Sequence, residues 1–329
     1  MEIYNHLIKS EEDVFKYFNE NNICFLDIET TGLSRKYHQI YLIGLVYFNI
    51  ECNSWCLTQL FADDLDEEKK LLKEFNDFIS TFDLLITYNG ESFDIPFIKH
   101  RFKNYGIDSK MININSLDIY REIKKNKSYL QLENLKLKSI EESLGIYRED
   151  IYSGKDCIDF YYKYVNTKEE SLKQNILKHN YDDLYYLLPI VKIFDLIKDI
   201  KSITMDLNSH MIDIEIEDIR IDGDILKISS NTSKIDENIN IIYYENSFNF
   251  CWKNKTNLYL DLEINEGFIT PTKKCLFINK GNFPFNTDLK DLSQFMVPDN
   301  IVLLKVEDKY EVENIKNVIK DLVFYVINQ

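Results

Sequence analysis

The side chains with the most chemical potential in this chain are acidic, and they stand in three short clusters. The first is Phe25-Leu26-Asp27-Ile28-Glu29-Thr30-Thr31-Gly32-Leu33. The apolar run ICFLDI reads as a buried strand, in which residues i and i+2 project to the same face. Asp27 and Glu29 therefore point together, while Leu26 and Ile28 point into a core. Two adjacent carboxylates repel each other. Such a pair persists where a divalent cation sits between them; taken alone, it also fits a solvated strand end. The second cluster is Thr87-Tyr88-Asn89-Gly90-Glu91-Ser92-Phe93-Asp94-Ile95-Pro96-Phe97. Asn89-Gly90 marks a turn after a strand, and Asp94 opens a helix, either as its cap or as a ligand. The third is His179-Asn180-Tyr181-Asp182-Asp183. On a helix His179 and Asp183 share a face and Asp182 does not. An Asp-His pair of this kind is either a surface interaction or part of a site.

The elements that must position these clusters follow from hydrophobic periodicity. ICFLDI, YLIGLVYF, WCLTQLF, LLITYN and ININSLDI read as five strands. EEKKLLKEFNDFIS and FIKHRFKNY have helical spacing. LENLKLKSIEESLG does too and ends at a C-cap glycine, Gly145; DFYYKYVN follows it. A long helix over about residues 171–200 carries Pro189 as a kink point. Beyond it the rhythm changes to short alternating segments, IDIEIEDIRI, ILKISS, INIIYY, FNFCW and LYLDLEI. IVLLKV and the helical VENIKNVIKDLVFYV end the chain. The pattern predicts an α/β domain over 1–200 and a smaller β-rich, α+β domain over 201–329.

FLDIETTGL, ITYNGESFDIPF and HNYDD, in that order, resemble the three motifs of the DEDD superfamily of 3′–5′ exonucleases. The stretches LKSIEESLGIYREDIYSG, DFYYKY and ILKHNYDDL resemble its bacterial YprB-like branch. The resemblance covers about residues 20–198 and implies an RNase-H-like fold, a mixed five-stranded sheet flanked by helices. It also implies hydrolysis of phosphodiester bonds at the 3′ ends of single-stranded DNA or RNA with two Mg²⁺ or Mn²⁺ ions. By the resemblance Asp27 touches both metals, Glu29 and Asp183 complete the first site, and Asp94 holds the second. The spacing here is H-x3-D, so His179 stands where one subclass has a tyrosine. It either takes a proton from the attacking water or contacts a phosphate. The resemblance gives Thr30, Leu33, Asn89 and Phe93 as substrate contacts, Leu33 as a wedge against the last base. Core packing is the other reading of Leu33 and Phe93, and an acidic cap accounts for Asp118. Two further readings belong to the same fold: a weakly catalytic module that binds nucleic acid or protein, and a structure-specific endonuclease.

Charge bounds where a strand could run. The chain has 329 residues and a formal net charge of −16, which excludes coating of a polymer through bulk positive charge. Residues 99–138, however, hold ten basic side chains against four acidic ones. Within them Lys124, Lys125, Lys127 and Tyr129 combine cations with an aromatic ring, the features of a single-strand grip. Residues 203–329 hold 13 basic and 21 acidic side chains, which speaks against an electrostatic clamp; the second domain suits a sheet packed against the first, a self-association surface or a protein partner. Six cysteines without CxxC spacing fit reduced thiols. No signal-like start and no long apolar run are seen, so the expectation is a cytoplasmic protein without a membrane span.

Overall fold

The first acidic cluster lies on a strand that is covered on both faces, which is why its apolar run is nearly continuous. In the computed structural model this is β2 of the first unit. The structure describes all residues except 11, 21, 149–151, 208–209, 234–239, 255 and 286–288. Glu149–Ile151 of the YREDI stretch and Ile239 of INIIYY thus lie outside the described residues.

The chain folds as two units. The first comprises Met1–Lys125 and Leu132–Phe194. Its elements are β1 (Glu2–Ile8), β2 (Ile23–Thr30), β3 (Ile40–Asn49), β4 (Ser54–Phe61), α1 (Glu68–Ile79), β5 (Leu84–Thr87), α2 (Asp94–Tyr105), β6 (Asn115–Asp118), α3 (Ile119–Lys125), α4 (Leu137–Ser143), α5 (Gly154–Thr167) and α6 (Glu170–Ile190). The strands form one sheet in the order β1-β4-β3-β2-β5-β6. β1, β4, β3 and β2 pair antiparallel, and β5 and β6 add parallel to β2. The sheet has six strands where five were expected. β1 is an edge strand with mostly exposed or half-buried side chains, so it lacks the apolar signature that marks β2, β3, β4 and β5.

Two local features set the site. Asp27 pairs with Gly44 on β3. A Cβ at Gly44 would collide with Asn180 and Leu184 of α6, so the glycine lets that helix lie close against the sheet. Further along, the β2–β3 connection is pinned at its base. Thr31 N–H donates to Gln39 O at 2.9 Å, and Gln39 N–H donates to Thr31 Oγ1 at 3.0 Å. The His38 ring lies against Gly32, where φ is +154° and any side chain would meet the imidazole at 2.7 Å.

The second unit comprises Asn126–Gln131 and Asp195–Gln329. After Pro189 the long helix ends at Ile190, and a separate α7 (Ile193–Lys201) begins. There follow β7 (Ser202–Leu207), β8 (His210–Asp222), β9 (Ile225–Thr232), β10 (Ile241–Tyr244), β11 (Phe248–Lys253), β12 (Asn257–Glu263), β13 (Asn265–Phe268), β14 (Lys274–Asn279), β15 (Ile301–Val306), β16 (Lys309–Tyr310) and α8 (Val312–Ile327). They build an antiparallel sheet β10-β11-β12-β9-β8-β7 and a smaller one, β13-β14-β15-β16. Trp252, Phe250 and Leu260 pack with Ile315, Val318 and Leu322 of α8 in one apolar core. Residues 126–131 join this unit because Tyr129 is part of that core. Among the described residues no helix is long and apolar enough to cross a membrane.

Candidate active site

The three acidic clusters, far apart in sequence, meet at the end of β2. Asp94 does not cap its own helix. Its Oδ1 instead accepts a hydrogen bond from the backbone N–H of Ile28 at 3.1 Å, between Asp27 and Glu29. Asn180, one helical position after His179, donates from Nδ2 to Asp27 Oδ2 at 2.7 Å. Its Oδ1 accepts from buried Gln59 Nε2 at 2.8 Å, and the same Gln59 nitrogen donates to Leu177 O at 2.9 Å. Gln59 thereby fixes which way the Asn180 amide faces. His179 Nε2 stands between two carboxylates, 3.6 Å from Glu29 Oε1 and 3.6 Å from Asp183 Oδ2. Asp182 points away and pairs with Lys178 at 2.6 Å.

The electrostatics are those of crowded acids. Burial holds the Asp27 carboxyl well above the ordinary range, and the charges of Asp94, Glu29 and Asp183 add to the effect. Glu29 is raised well above its usual value by burial and then by Asp183 and Asp94. Asp94 is pushed up to about 7, chiefly by burial. Asp27 and Glu29 both feel the charges of Asp94 and Asp183, so a cation among them would relieve that repulsion. The donors are hard oxygens with one imidazole, which suits Mg²⁺ or Mn²⁺. Among the described residues, no three Asp, Glu, His or Cys side chains are drawn together as closely as a bound ion would draw them. The donor set therefore fits a divalent metal in chemistry.

The expected substrate residues separate into two groups. Leu33 is 84% exposed at the β2–β3 connection. Asn89 is exposed with φ of +64°, and its backbone N–H is held by Asp118 at 2.7 Å. Asp118 also accepts from Glu91 N and Tyr120 N, so it acts as the acidic cap of this turn. Thr30 is buried and its hydroxyl donates to Gly32 O, leaving it to shape the turn. Phe93 packs against the core beside Phe97.

The basic stretch departs from expectation. Arg101, Lys110, Arg121, Lys125 and Lys127 each have a carboxylate partner, so the charge of five of the ten basic side chains is opposed. Tyr129 is buried against Tyr310 and offers no face for stacking, which removes it from the strand-gripping set. Lys127 pairs with Asp308 at 2.7 Å, and only Lys124 and Lys125 of the expected cluster remain at the surface of the first unit.

Sequence reasoning missed several residues of the site. Gln59 and Asn180 are uncharged and carry no motif signal of their own. Glu141 and Arg148 sit in the stretch that carried the family resemblance, yet were given no role. Arg35, Lys36 and Tyr37 are exposed on the connection after Leu33, two cations and an aromatic ring beside the first motif. That combination was legible in the sequence.

A sequence model of the RNase_H superfamily, RNase_H_2, matches residues 24–194, just over half of the chain. The uncharacterized protein YprB of Bacillus subtilis is 27% identical over 190 residues, 53% of this chain and 42% of that protein. The chain therefore spans less than half the length of this curated relative. Among solved structures, the family B DNA polymerase of Pyrobaculum calidifontis aligns with a TM-score of 0.42 at 14% identity, over 54% of this chain and 25% of the polymerase. Exonuclease I of E. coli, in complex with a dT13 oligonucleotide, aligns with a TM-score of 0.37 at 10% identity, over 63% and 54% of the two chains.

Proposed function

The chain belongs to the RNase_H superfamily, and from that premise we propose that it is a divalent-metal-dependent 3′–5′ exonuclease acting on single-stranded nucleic acid. The observation that supports this reading is the convergence of Asp27, Glu29, Asp94 and Asp183, from three elements, at one strand end where burial raises three of the carboxyls and neighbouring charges add to the shifts of Asp27 and Glu29. Bound Mg²⁺ or Mn²⁺ would supply neutralisation of the phosphate charge and acidification of water. Asp27, Glu29 and Asp183 would hold one ion, with Asp27 and Asp94 at the other. His179, 3.6 Å from both Glu29 and Asp183, would receive a proton from an attacking water in this reading. The exposed Leu33–His38 connection, in preference to residues 124–129, is the surface on which the terminal nucleotides would lie.

The test uses 5′-labelled DNA and RNA oligomers with Mg²⁺ or Mn²⁺. The expected result is stepwise shortening from the 3′ end with release of mononucleotides, lost in Asp27→Asn. Long internal fragments as first products would favour the endonuclease reading. Intact oligomers beside measurable Mn²⁺ binding would favour the binding module.

A further inference from the structure

The stretch from α4 to Arg148 runs alongside the cluster of carboxylates. α4 ends at Ser143, and Gly145 follows with φ of +74°, a left-handed turn that reverses the chain. Ile146 N–H then donates to Glu141 O at 2.9 Å. The turn brings Arg148 back over its own helix, where its Nε donates to Glu141 Oε2 at 3.0 Å. The far end of the guanidinium, Nη2, reaches Asp183 Oδ1 on α6 at 2.7 Å. The guanidinium also lies over the Tyr186 ring at 5.3 Å. Both ends of this bridge are shielded: the Glu141 side chain is 1% exposed and that of Arg148 is 8%.

We propose that Arg148, anchored by Glu141, is a positioning residue that sets the affinity of the Asp183 site for a divalent cation. The guanidinium engages one oxygen of Asp183 and leaves the other, which faces His179, to a ligand. An arginine suits this task because its fork spans two carboxylates at a fixed separation, which a lysine cannot do. Glu141 balances the guanidinium charge, so Asp183 keeps most of its negative charge toward a metal. The inference rests on the metal-dependent reading above, and its test does not require turnover.

The experiment is calorimetric titration of Mn²⁺ into the full chain, wild type against Arg148→Met, Arg148→Lys and Glu141→Gln, with circular dichroism to check folding. Loss of a supporting contact behind a ligand costs about 10–100-fold in metal affinity, and Arg148→Met is expected to fall in that range. Arg148→Lys should recover part of the loss, because an ammonium can still meet Asp183. Glu141→Gln should weaken binding less, in the same direction. A general packing role would predict no recovery with lysine. Mn²⁺ binding as tight in Arg148→Met as in wild type, or tighter, overturns the proposal, the latter by making Arg148 a competitor of the metal. Should Arg148→Met fail to fold, unchanged affinity in both Arg148→Lys and Glu141→Gln overturns it equally. Wild-type chain that binds Mn²⁺ but cleaves no oligomer would remove the exonuclease reading and leave this one standing. Wild-type chain that binds no Mn²⁺ would remove both.

Discussion

The two units each contain a six-stranded sheet, but they differ in what they bury. The first unit encloses Glu29, Glu68, Asp94, Arg101, Asp118, Glu141 and Lys173. In the second, the buried polar side chains among the described residues are Ser230, Thr232, Ser247 and Asn314, none of them ionisable. Burying an ionisable group is costly unless it is paired. Some of the charges in the first unit are paired, and those serve as supports. Glu68, for example, accepts from Arg101 Nε and Ile40 N, each at 2.8 Å, and so fixes the start of β3. The carboxyls at the end of β2 are crowded against one another instead. The difference indicates that the first unit gives up stability for a site.

The largest effect that would test this contrast comes from Asp27→Asn. The amide can still accept from Asn180, so the fold should hold, while oligomer cleavage falls on the order of a thousandfold. The thermal midpoint of the metal-free protein should stay level or rise, because one repelling charge is gone. A fall in both activity and stability would break the contrast. The matching change in the other unit is Phe250→Ala. That ring is fully buried, and its removal should cost about 3–5 kcal/mol in a urea titration. Cleavage per folded molecule should not change.

A smaller effect follows from pH. The folded carboxyl of Asp94 titrates near 7, against 3.8 for the ordinary group, and Asp27 and Glu29 are shifted in the same direction. A raised carboxyl means that the folded state holds its proton to higher pH than the unfolded state does. Its contribution to stability is complete below 3.8 and is lost as pH rises through about 7. Metal-free protein should therefore melt at progressively lower temperature across that window, and saturating Mn²⁺ should abolish or reverse the trend. A flat metal-free profile would mean that the crowding is relieved in some other way.

The same contrast explains what was legible. β2, β3, β4 and β5 of the first sheet are visible as apolar runs because they are covered, and the alternation of β8 and β9 is equally plain because one face is wet. β1 escaped because an edge strand needs no apolar face. The carboxylates could be read because strand and helix periodicity dictate which of them share a side. Their supports could not. Gln59 meets Asn180 across 121 positions, and Gly44 matters only because α6 lies against it. Position-by-position reading carries no information on such pairs.

Next in size is the surface of the strand path. Removing the ring of Tyr37 together with the charges of Arg35 and Lys36 should raise KM about tenfold and leave kcat unchanged, since stacking and phosphate contacts away from the reacting bond give uniform binding. A loss in kcat instead would place the connection in the chemistry.

The smallest expected effect is at Lys127, and it separates local charge from net charge. The ammonium lies 2.7 Å from Asp308, a residue 181 positions away that no reading of the basic run could have paired with it. A cation already matched by a carboxylate neutralises no phosphate and releases no counterion when a strand binds. Lys127→Ala should therefore leave the salt dependence of oligomer binding unchanged. As the broken pair is a half-exposed one, stability should fall by no more than about 1 kcal/mol. Lys124, whose ammonium lies over the Tyr120 ring at 5.9 Å, is the control from the same run. Its loss should lower the salt slope by up to about 0.7, the increment for one single-strand phosphate contact. If Lys127→Ala moves the slope as far as Lys124→Ala, the pair with Asp308 opens when nucleic acid arrives, and the second unit takes part in binding after all.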